Sequence, residues 1–221
     1  METKNRSKLC YSCQVPENPF VVRPAEPRDE AVIAGLVVEG FLDKFRPIFG
    51  RRMDQSVKIM EKWVRLEHSL GGISSLVVEG RAPAEILASI GVRIGNSDDG
   101  ALTRGLWKVL LRNLGYARAF WAATLLSYPR YTAISYEAYI ERFVVTYEHR
   151  HQGMGRALLE AAESFSREFD KETVGLHVSD DNLPALRLYE ACGYKESSRQ
   201  HSLLTSYFLG IREWLYLQKE L

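Results

Sequence analysis

The stretch that decides the fold runs Val145-Thr-Tyr-Glu-His-Arg-His-Gln-Gly-Met-Gly-Arg-Ala-Leu-Leu159. Apolar, aromatic and β-branched residues lead into it and predict a largely buried strand: Tyr139, Ile140, Phe143, Val144 and Val145. From Met154 onward the apolar residues fall at helical spacing, at Ala157, Leu158, Ala161, Ala162 and Phe165. The pattern therefore predicts a strand, a short basic loop and a helix that opens on glycines.

The glycines stand where the helix is predicted to begin, at Gly153 and Gly155. Without side chains there, the backbone N–H groups of residues 152–156 can approach a phosphate closely. The first N–H groups of a helix lack acceptors, and the helix dipole is positive at that end, so both favour an anion. Arg150 and Arg156 add positive charge. The loop is a candidate phosphate site, and the competing interpretation is a glycine-rich helix start that binds nothing.

Two common nucleotide-binding patterns do not fit this loop. A dinucleotide-binding turn needs a third glycine where Leu158 stands, and an acidic residue at the end of the next strand. The spacing of a Walker A loop is also absent.

A second string follows the predicted strand 173–178 and reads Asn182-Leu-Pro-Ala-Leu-Arg-Leu-Tyr-Glu-Ala-Cys-Gly-Tyr194. Asn182 suits a helix N-cap, Pro184 the first turn, and Gly193 the position just beyond the helix. By itself the string predicts a short, well-capped helix.

Together the two strings resemble the GNAT N-acetyltransferase superfamily. Arg-x-x-Gly-x-Gly, residues 150–155, is similar to its acetyl-CoA pyrophosphate loop. Asn-x-x-Ala-x-x-Leu-Tyr-x-x-x-Gly-Tyr, residues 182–194, is similar to the motif that follows it. The resemblance is closest over residues 137–195. It implies one α/β (α+β) domain with a mixed, mostly antiparallel central sheet flanked by helices.

The resemblance also implies acetyl-CoA as cosubstrate. Backbone groups of the strand that ends at Val145 would hold the pantetheine arm, and the Val145 N–H would point at the thioester oxygen. Asn182 would bond the pantetheine or serve only as an N-cap. The implied cofactor-binding residues are Phe143, Val144, Val145, Arg150, His151, Gln152, Gly153, Met154, Gly155, Arg156, Asn182 and Tyr189.

Three residues are candidates for proton transfer. Tyr189 would protonate the leaving thiolate, because a tyrosine with a pKa of about 10 is protonated at pH 7. His177 is the first candidate base, since an imidazole with a pKa of about 6.5 suits that task. Glu141 is the competing base. Each residue also has a structural alternative to catalysis. Tyr189 would be a packed aromatic, His177 a polar residue that lines the cleft, and Glu141 a carboxylate paired with an arginine. Cys192 is interpreted as a packing residue.

Composition limits the remaining options. The chain has 221 residues, 46% of them hydrophobic, which suffices for one sizeable core. A formal net charge of +1 implies no nucleic-acid partner. Three cysteines fit a reducing cytoplasm, and Cys10 and Cys13 lack the second pair of a zinc site, so no metal is expected. Neither a signal peptide nor a run of about 18 apolar residues is evident.

The order of predicted elements matches the implied fold. Residues 1–18 are interpreted as a polar tail and residues 19–221 as the domain. A first strand at 20–23 precedes a helix from Asp29 that breaks at Pro47 to Gly50. A second helix spans 54–70, and strands follow at 75–79 and 85–94. After residue 136 the expected elements are a strand (137–146), a helix (154–169), a strand (173–179), a helix (183–192) and two final strands.

A helical insert of about residues 95–136 separates the third and fourth strands. It contains two amphipathic helices broken at Gly115, with large apolar residues such as Trp107 and Trp121. We expect the insert to pack over the acceptor side of the cleft. The alternatives are a homodimer interface and a membrane-surface helix pair.

The predicted function is the direct transfer of the acetyl group of acetyl-CoA to a primary amine of a small molecule or peptide. The alternative is a non-catalytic CoA-binding sensor or regulatory module.

Overall fold

Seven strands form one sheet in the computed structural model, which describes residues 20–82, 85–95, 99–132 and 134–221. The order is β1-β2-β3-β4-β5-β7-β6. The strands are β1 (Val21–Pro24), β2 (Ile73–Glu79), β3 (Ile86–Arg93), β4 (Glu137–Val145), β5 (Thr173–Ser179), β6 (Lys195–His201) and β7 (Glu213–Glu220). Only β4 and β5 are parallel; the other neighbours are antiparallel. The sheet is thus mixed and mostly antiparallel, as predicted. The proposed tail and the cysteines Cys10 and Cys13 lie outside the described residues.

Eight α-helices occur in the described part of the chain. They are α1 (Glu30–Gly40), α2 (Leu42–Phe49), α3 (Met53–Leu70), α4 (Asp99–Leu114), α5 (Tyr116–Leu126), α6 (Met154–Glu168), α7 (Leu183–Ala191) and α8 (Leu203–Leu209). None of them is long and apolar enough to cross a bilayer.

The two faces of the sheet carry separate cores. One face packs against α6 and α7 through buried residues such as Ile140, Leu158 and Leu176. The other packs against α1, α2 and α3 through residues such as Ile33, Phe45 and Val77. Because alternate residues of a strand point to opposite faces, the strands β2, β3 and β4 contribute residues to both cores.

The helical stretch predicted from Asp29 ends at Phe49, within the predicted break, but it consists of two helices rather than one. The first, α1, ends at Gly40, and Phe41 leaves the helical region with φ −121° and ψ 34°. Pro47 lies inside the next helix, α2, rather than ending it. The turn at Phe41 lets α1 bury Ile33 while α2 separately buries Phe45. The helix α8 was not predicted from the sequence; Ser202 caps it by accepting a hydrogen bond from the Thr205 N–H.

The insert forms the two predicted helices, α4 and α5, and Gly115 between them has φ +74°. Four of its apolar residues are buried in the core that α1, α2 and α3 share: Leu110, Ala119, Ala122 and Leu125. On α5, Trp121 packs edge-on against Phe208 of α8, with ring centroids 4.3 Å apart. The insert therefore belongs to the same packed body as α1, α2 and α3.

Candidate active site

The two parallel strands at the centre of the sheet separate halfway along their length. Residues Glu137 to Ile140 of β4 pair with Thr173 to Leu176 of β5. Both strands continue beyond this point, but no further residue of one pairs with the other. Backbone N–H and C=O groups that face this gap are therefore not used by the sheet.

A β-bulge in β4 lies next to the point of separation. The register with β3 shifts between Ser89, which pairs with Val144, and Gly91, which pairs with Glu141, and Arg142 adopts φ +51°. Arg142 forms an ion pair with Glu67 of α3, at 2.6 Å between the guanidinium and carboxylate. The pKa of Glu67 is raised to about 7, chiefly by burial; the charge of Arg142 lowers the pKa and the charge of Glu141 raises it. A bulge re-aims the following side chains, so this one sets the direction of residues 143–145.

The backbone of Val145 faces the gap. The N–H of the next residue, Thr146, donates to the carbonyl of Leu87 on β3 at 2.9 Å. Because N–H groups alternate along a strand, the N–H and C=O of Val145 point away from β3. The side chains of Phe143 and Val145 pack on the α6 face and that of Val144 on the α1 face. All three residues thus line the strand segment predicted to hold the pantetheine arm.

The predicted phosphate loop ends at the N-terminus of α6. Gly153 has φ +82°, a conformation that side chains rarely adopt, and an added Cβ there would meet no atom within 4 Å. The first helical bond runs from the Ala157 N–H to the Gly153 carbonyl at 3.0 Å. The N–H groups of residues 152–156 have no acceptor within the described chain. An open cradle of free donors fits a phosphate.

The other loop residues differ in what they can contribute. The side chain of Met154 is buried, so only its backbone is available, and an added Cβ at Gly155 would lie 3.0 Å from Leu188 of α7. Gly155 therefore serves close helix packing. Four side chains of the predicted set are exposed and can reach an anion: Arg150, His151, Gln152 and Arg156. The Arg150 Nε donates to the Val145 carbonyl at 3.4 Å.

Tyr189 of α7 lies beside the same strand. Its side chain is buried, and its ring centroid is 6.1 Å from that of Phe143. Its hydroxyl has no hydrogen-bond partner among the described residues. Burial raises the pKa of Tyr189 above its ordinary value, so the phenol stays protonated at neutral pH. These properties suit a proton donor.

Two residues that flank α7 have clear local roles. The Oδ1 of Asn182 accepts the Ala185 N–H at 3.3 Å, which is the N-cap interaction predicted for it. Burial also raises the pKa of the Cys192 thiol. A thiol that resists ionisation is a poor nucleophile, which favours packing as its role.

His177 lies on the opposite face of β5 from the α6 core. Its Nδ1 is 2.8 Å from the Tyr139 hydroxyl, and its Nε2 is 3.1 Å from the Gln200 Nε2. Gln200 also donates to the Arg130 carbonyl at 3.1 Å. A carbonyl can only accept, so it fixes the orientation of the Gln200 amide. Neutral His177 therefore carries its proton on Nδ1 and holds a lone pair on Nε2.

The two candidate bases differ in their electrostatic surroundings. Burial lowers the pKa of His177 to about 4, and the nearby charge of Lys44 lowers it too. The imidazole is therefore neutral at pH 7 and less basic than free imidazole. Glu141 forms an ion pair with Arg93 at 2.7 Å. That pairing matches the structural alternative considered for Glu141.

A buried carboxylate near His177 was missed by the sequence analysis. Glu137 is only 1% exposed at the start of β4. It accepts hydrogen bonds from Tyr131, Tyr216, Gln218 and Thr173. Tyr131 belongs to the insert and also stacks on Tyr139, with ring centroids 3.8 Å apart. The cluster ties the end of the insert to the sheet face that carries His177. In the sequence, the only sign of the buried Glu137 carboxylate is a glutamate at the start of an apolar strand.

Within the described residues, no three His, Cys, Asp or Glu side chains are grouped so that they could hold a metal ion.

Comparison with known proteins agrees with this geometry. The family model described as "Acetyltransferase (GNAT) family" matches residues 42–194, more than half of the chain. The chain therefore belongs to the GNAT acetyltransferase family. No curated protein matched its sequence.

Solved structures with the same fold include three acetyltransferases. A crystal structure described as an acetyltransferase has a TM-score of 0.64 and 22% identity, covering 90% of this chain and 98% of its own. Salmonella typhimurium yncA, described as a putative acetyltransferase with its cofactor acetyl-CoA, gives 0.58 and 16%, with 92% and 94% covered. A ribosomal-protein-alanine N-acetyltransferase from Brucella melitensis gives 0.59 and 14%, with 91% and 99% covered. At these identities the likeness concerns the fold.

Proposed function

We propose that this protein is an acetyl-CoA-dependent N-acetyltransferase that acetylates a primary amine directly, with residues 19–221 as one catalytic domain in the cytoplasm. The observation that carries the proposal is that three features occur around the second half of β4 and the helices that follow it. They are the gap between β4 and β5, the free N–H groups at residues 152–156, and the unpartnered Tyr189 hydroxyl. Together they match the chemistry of a thioester-bearing nucleotide.

Acetyl-CoA would supply the acetyl group as a thioester. The N–H groups of residues 152–156 would hold its pyrophosphate, with Arg150, His151, Gln152 and Arg156 around them. The backbone of residues 143–145 would hold the pantetheine amides as an added strand does. The Val145 N–H would donate to the thioester oxygen as negative charge develops there, a contribution of about 2.7–4 kcal/mol for such donors.

Two protons must move during the transfer. The amine forms a bond to the acetyl carbon, the carbon–sulfur bond breaks, and the sulfur leaves with the bonding electron pair. We assign Tyr189 as the donor of the proton that this sulfur receives. The amine loses its proton to the Nε2 lone pair of His177. The amine must first replace Gln200 as the hydrogen-bond donor to that lone pair. Glu141, paired with Arg93, is the second candidate.

Acetyl-CoA binding tests the proposal directly. Acetyl-CoA should raise the melting temperature of the wild-type protein, because a ligand that binds only the native state stabilises it. Gly153→Val should abolish the shift by filling the cradle.

The matched control is Gly71→Val at the end of α3. Gly71 has φ +72° and equal free space, so the substitution adds the same backbone strain away from the loop. An unchanged shift in folded Gly153→Val would overturn the loop assignment. A shift without thiol release for any amine would favour the non-catalytic CoA-binding module.

A further inference from the structure

Lys44 of α2 is a partly buried lysine on the same side of the sheet as His177. Its Nζ lies 4.4 Å from the ring centroid of Trp214 and 5.5 Å from that of Phe41. Trp214 and Tyr216 are alternate residues of β7, and Tyr216 stands opposite His177 in the register. Lys44 is near enough to His177 for its charge to lower the imidazole pKa. The ammonium therefore lies on the sheet face that carries the candidate base, opposite the face that packs against α6.

No acidic side chain in the described part of the chain balances this ammonium. Lys44 forms no ion pair there, and burial alone lowers its pKa to about 8. Aromatic rings attract a cation, but they do not neutralise it. Lysines withdrawn from water are normally paired, because an isolated buried charge is costly.

The acidic groups on this side are engaged elsewhere. Glu141 is paired with Arg93, and Glu67 with Arg142. Glu137 is enclosed by hydroxyl and amide donors. With these groups engaged and His177 neutral, the ammonium of Lys44 offers an incoming molecule a positive charge on this face of the sheet.

We propose that Lys44 binds a carboxylate of the acceptor, so that the acceptor is an amine that carries an acid group. The acceptor that carries this carboxylate is a free amino acid or a peptide with an acidic N-terminal residue. The proposal rests on the N-acetyl transfer proposed above. The rings of Phe41 and Trp214 lie against the ammonium, and a bound carboxylate would supply the partner that Lys44 lacks. A polyamine would instead bring like charges together, which disfavours it.

Matched acceptor pairs test this assignment. Each free amino acid is compared with its carboxamide, and each peptide that begins with Glu or Asp with the peptide that begins with Gln or Asn. The wild type should prefer the carboxylated member of one set. Lys44→Met should raise KM for that member about tenfold or more, as expected for the loss of a charged hydrogen bond, with KM for the uncharged member unchanged. Lys44→Arg should retain the preference.

Lys58→Met, on the exposed surface of α3, is the matched control and should leave both KM values unchanged. If Lys44→Met does not fold, Lys44→Gln replaces it. Equal use of both members by the wild type, or equal losses for both in the variant, would overturn the proposal.

A binding measurement separates this proposal from the proposed function. If acetyl-CoA binds but no amine is acetylated, the catalytic assignment fails. Thermal shifts with CoA and the same pairs then test Lys44 alone. Stabilisation of the wild type by the carboxylated member, lost in Lys44→Met, supports the carboxylate site, and identical shifts in both proteins overturn it.

Discussion

The two sides of the gap between β4 and β5 are built in different ways. On the α6 side, backbone groups of two short contiguous stretches, residues 143–145 and 152–156, face the proposed acetyl-CoA site. On the α2 side, single side chains from distant parts of the chain meet: Lys44, Tyr131, Tyr139, His177, Gln200 and Trp214. A backbone site needs only small residues in the correct order, so a short string of sequence is enough to reveal it. A side-chain site depends on packing that joins remote segments, and no string reveals it.

The largest effect is expected on the α6 side. Tyr189→Phe should lower kcat by about 10²–10⁴-fold, the range for loss of acid–base catalysis, and keep acetyl-CoA affinity. Tyr194→Phe is the matched control, since Tyr194 is buried with its ring centroid 6.0 Å from that of Tyr189. Steady-state rates and acetyl-CoA thermal shifts measure both effects. Normal turnover in Tyr189→Phe would show that this tyrosine packs in the core and does not donate the proton.

A substitution at Gly155 tests whether this loop residue serves the packing of α6 against α7. A Cβ there would lie 3.0 Å from Leu188 and 3.4 Å from Phe143, so Gly155→Val overfills the contact between α6 and α7. Its free energy of unfolding should fall by about 1–3 kcal/mol. Gly35→Val in α1, where an added Cβ meets nothing within 4 Å, is the control. Urea denaturation of both variants gives the comparison, and equal stabilities would mean that α6 can shift without loss.

On the α2 side, Glu137→Gln should destabilise the protein and leave the loop unchanged. The carboxylate accepts hydrogen bonds from several donors, and an amide nitrogen in its place leaves donors such as Gln218 unpaired. A loss of about 1–3 kcal/mol is expected in denaturant melts, as for an unsatisfied buried group. Glu85→Gln, in the β2–β3 connection, serves as the control. An unaltered stability would show that water satisfies these donors.

The smallest effect concerns His177 and pH. Its pKa is about 4 in the folded protein and 6.5 ordinarily, so between these values the unfolded chain binds more protons. Stability should therefore fall as pH drops from 6.5 towards 4. His177→Gln should make the slope of stability against pH shallower in that window, and exposed His201→Gln should not. Denaturant midpoints across the window measure the slopes. Identical slopes for wild type and His177→Gln would contradict the buried, neutral imidazole.

The two sides of the gap also differ in how much of their structure could be predicted from the sequence. The glycine loop, the strand before it and the break at Gly115 are local patterns, and each was predicted with its correct element. The bulge at Arg142 was not predictable, because it depends on the ion pair with Glu67 of α3. The break at Phe41 was missed, because Phe41 and Phe45 continue the helical spacing of apolar residues. Lys44 had no signal at all, since only the packing of α2 against β7 brings it to Trp214.

Mass analysis after incubation with acetyl-CoA tests the central claim most directly. The protein and a panel of amines, including the matched acceptor pairs, are analysed together with the free thiol released. The account predicts an acetyl group on one acceptor in equal amount to the thiol, and no acetylated protein when acetyl-CoA is given alone. Acetyl-CoA binding without thiol release for any amine, or an acetyl group that first appears on the protein, would contradict it.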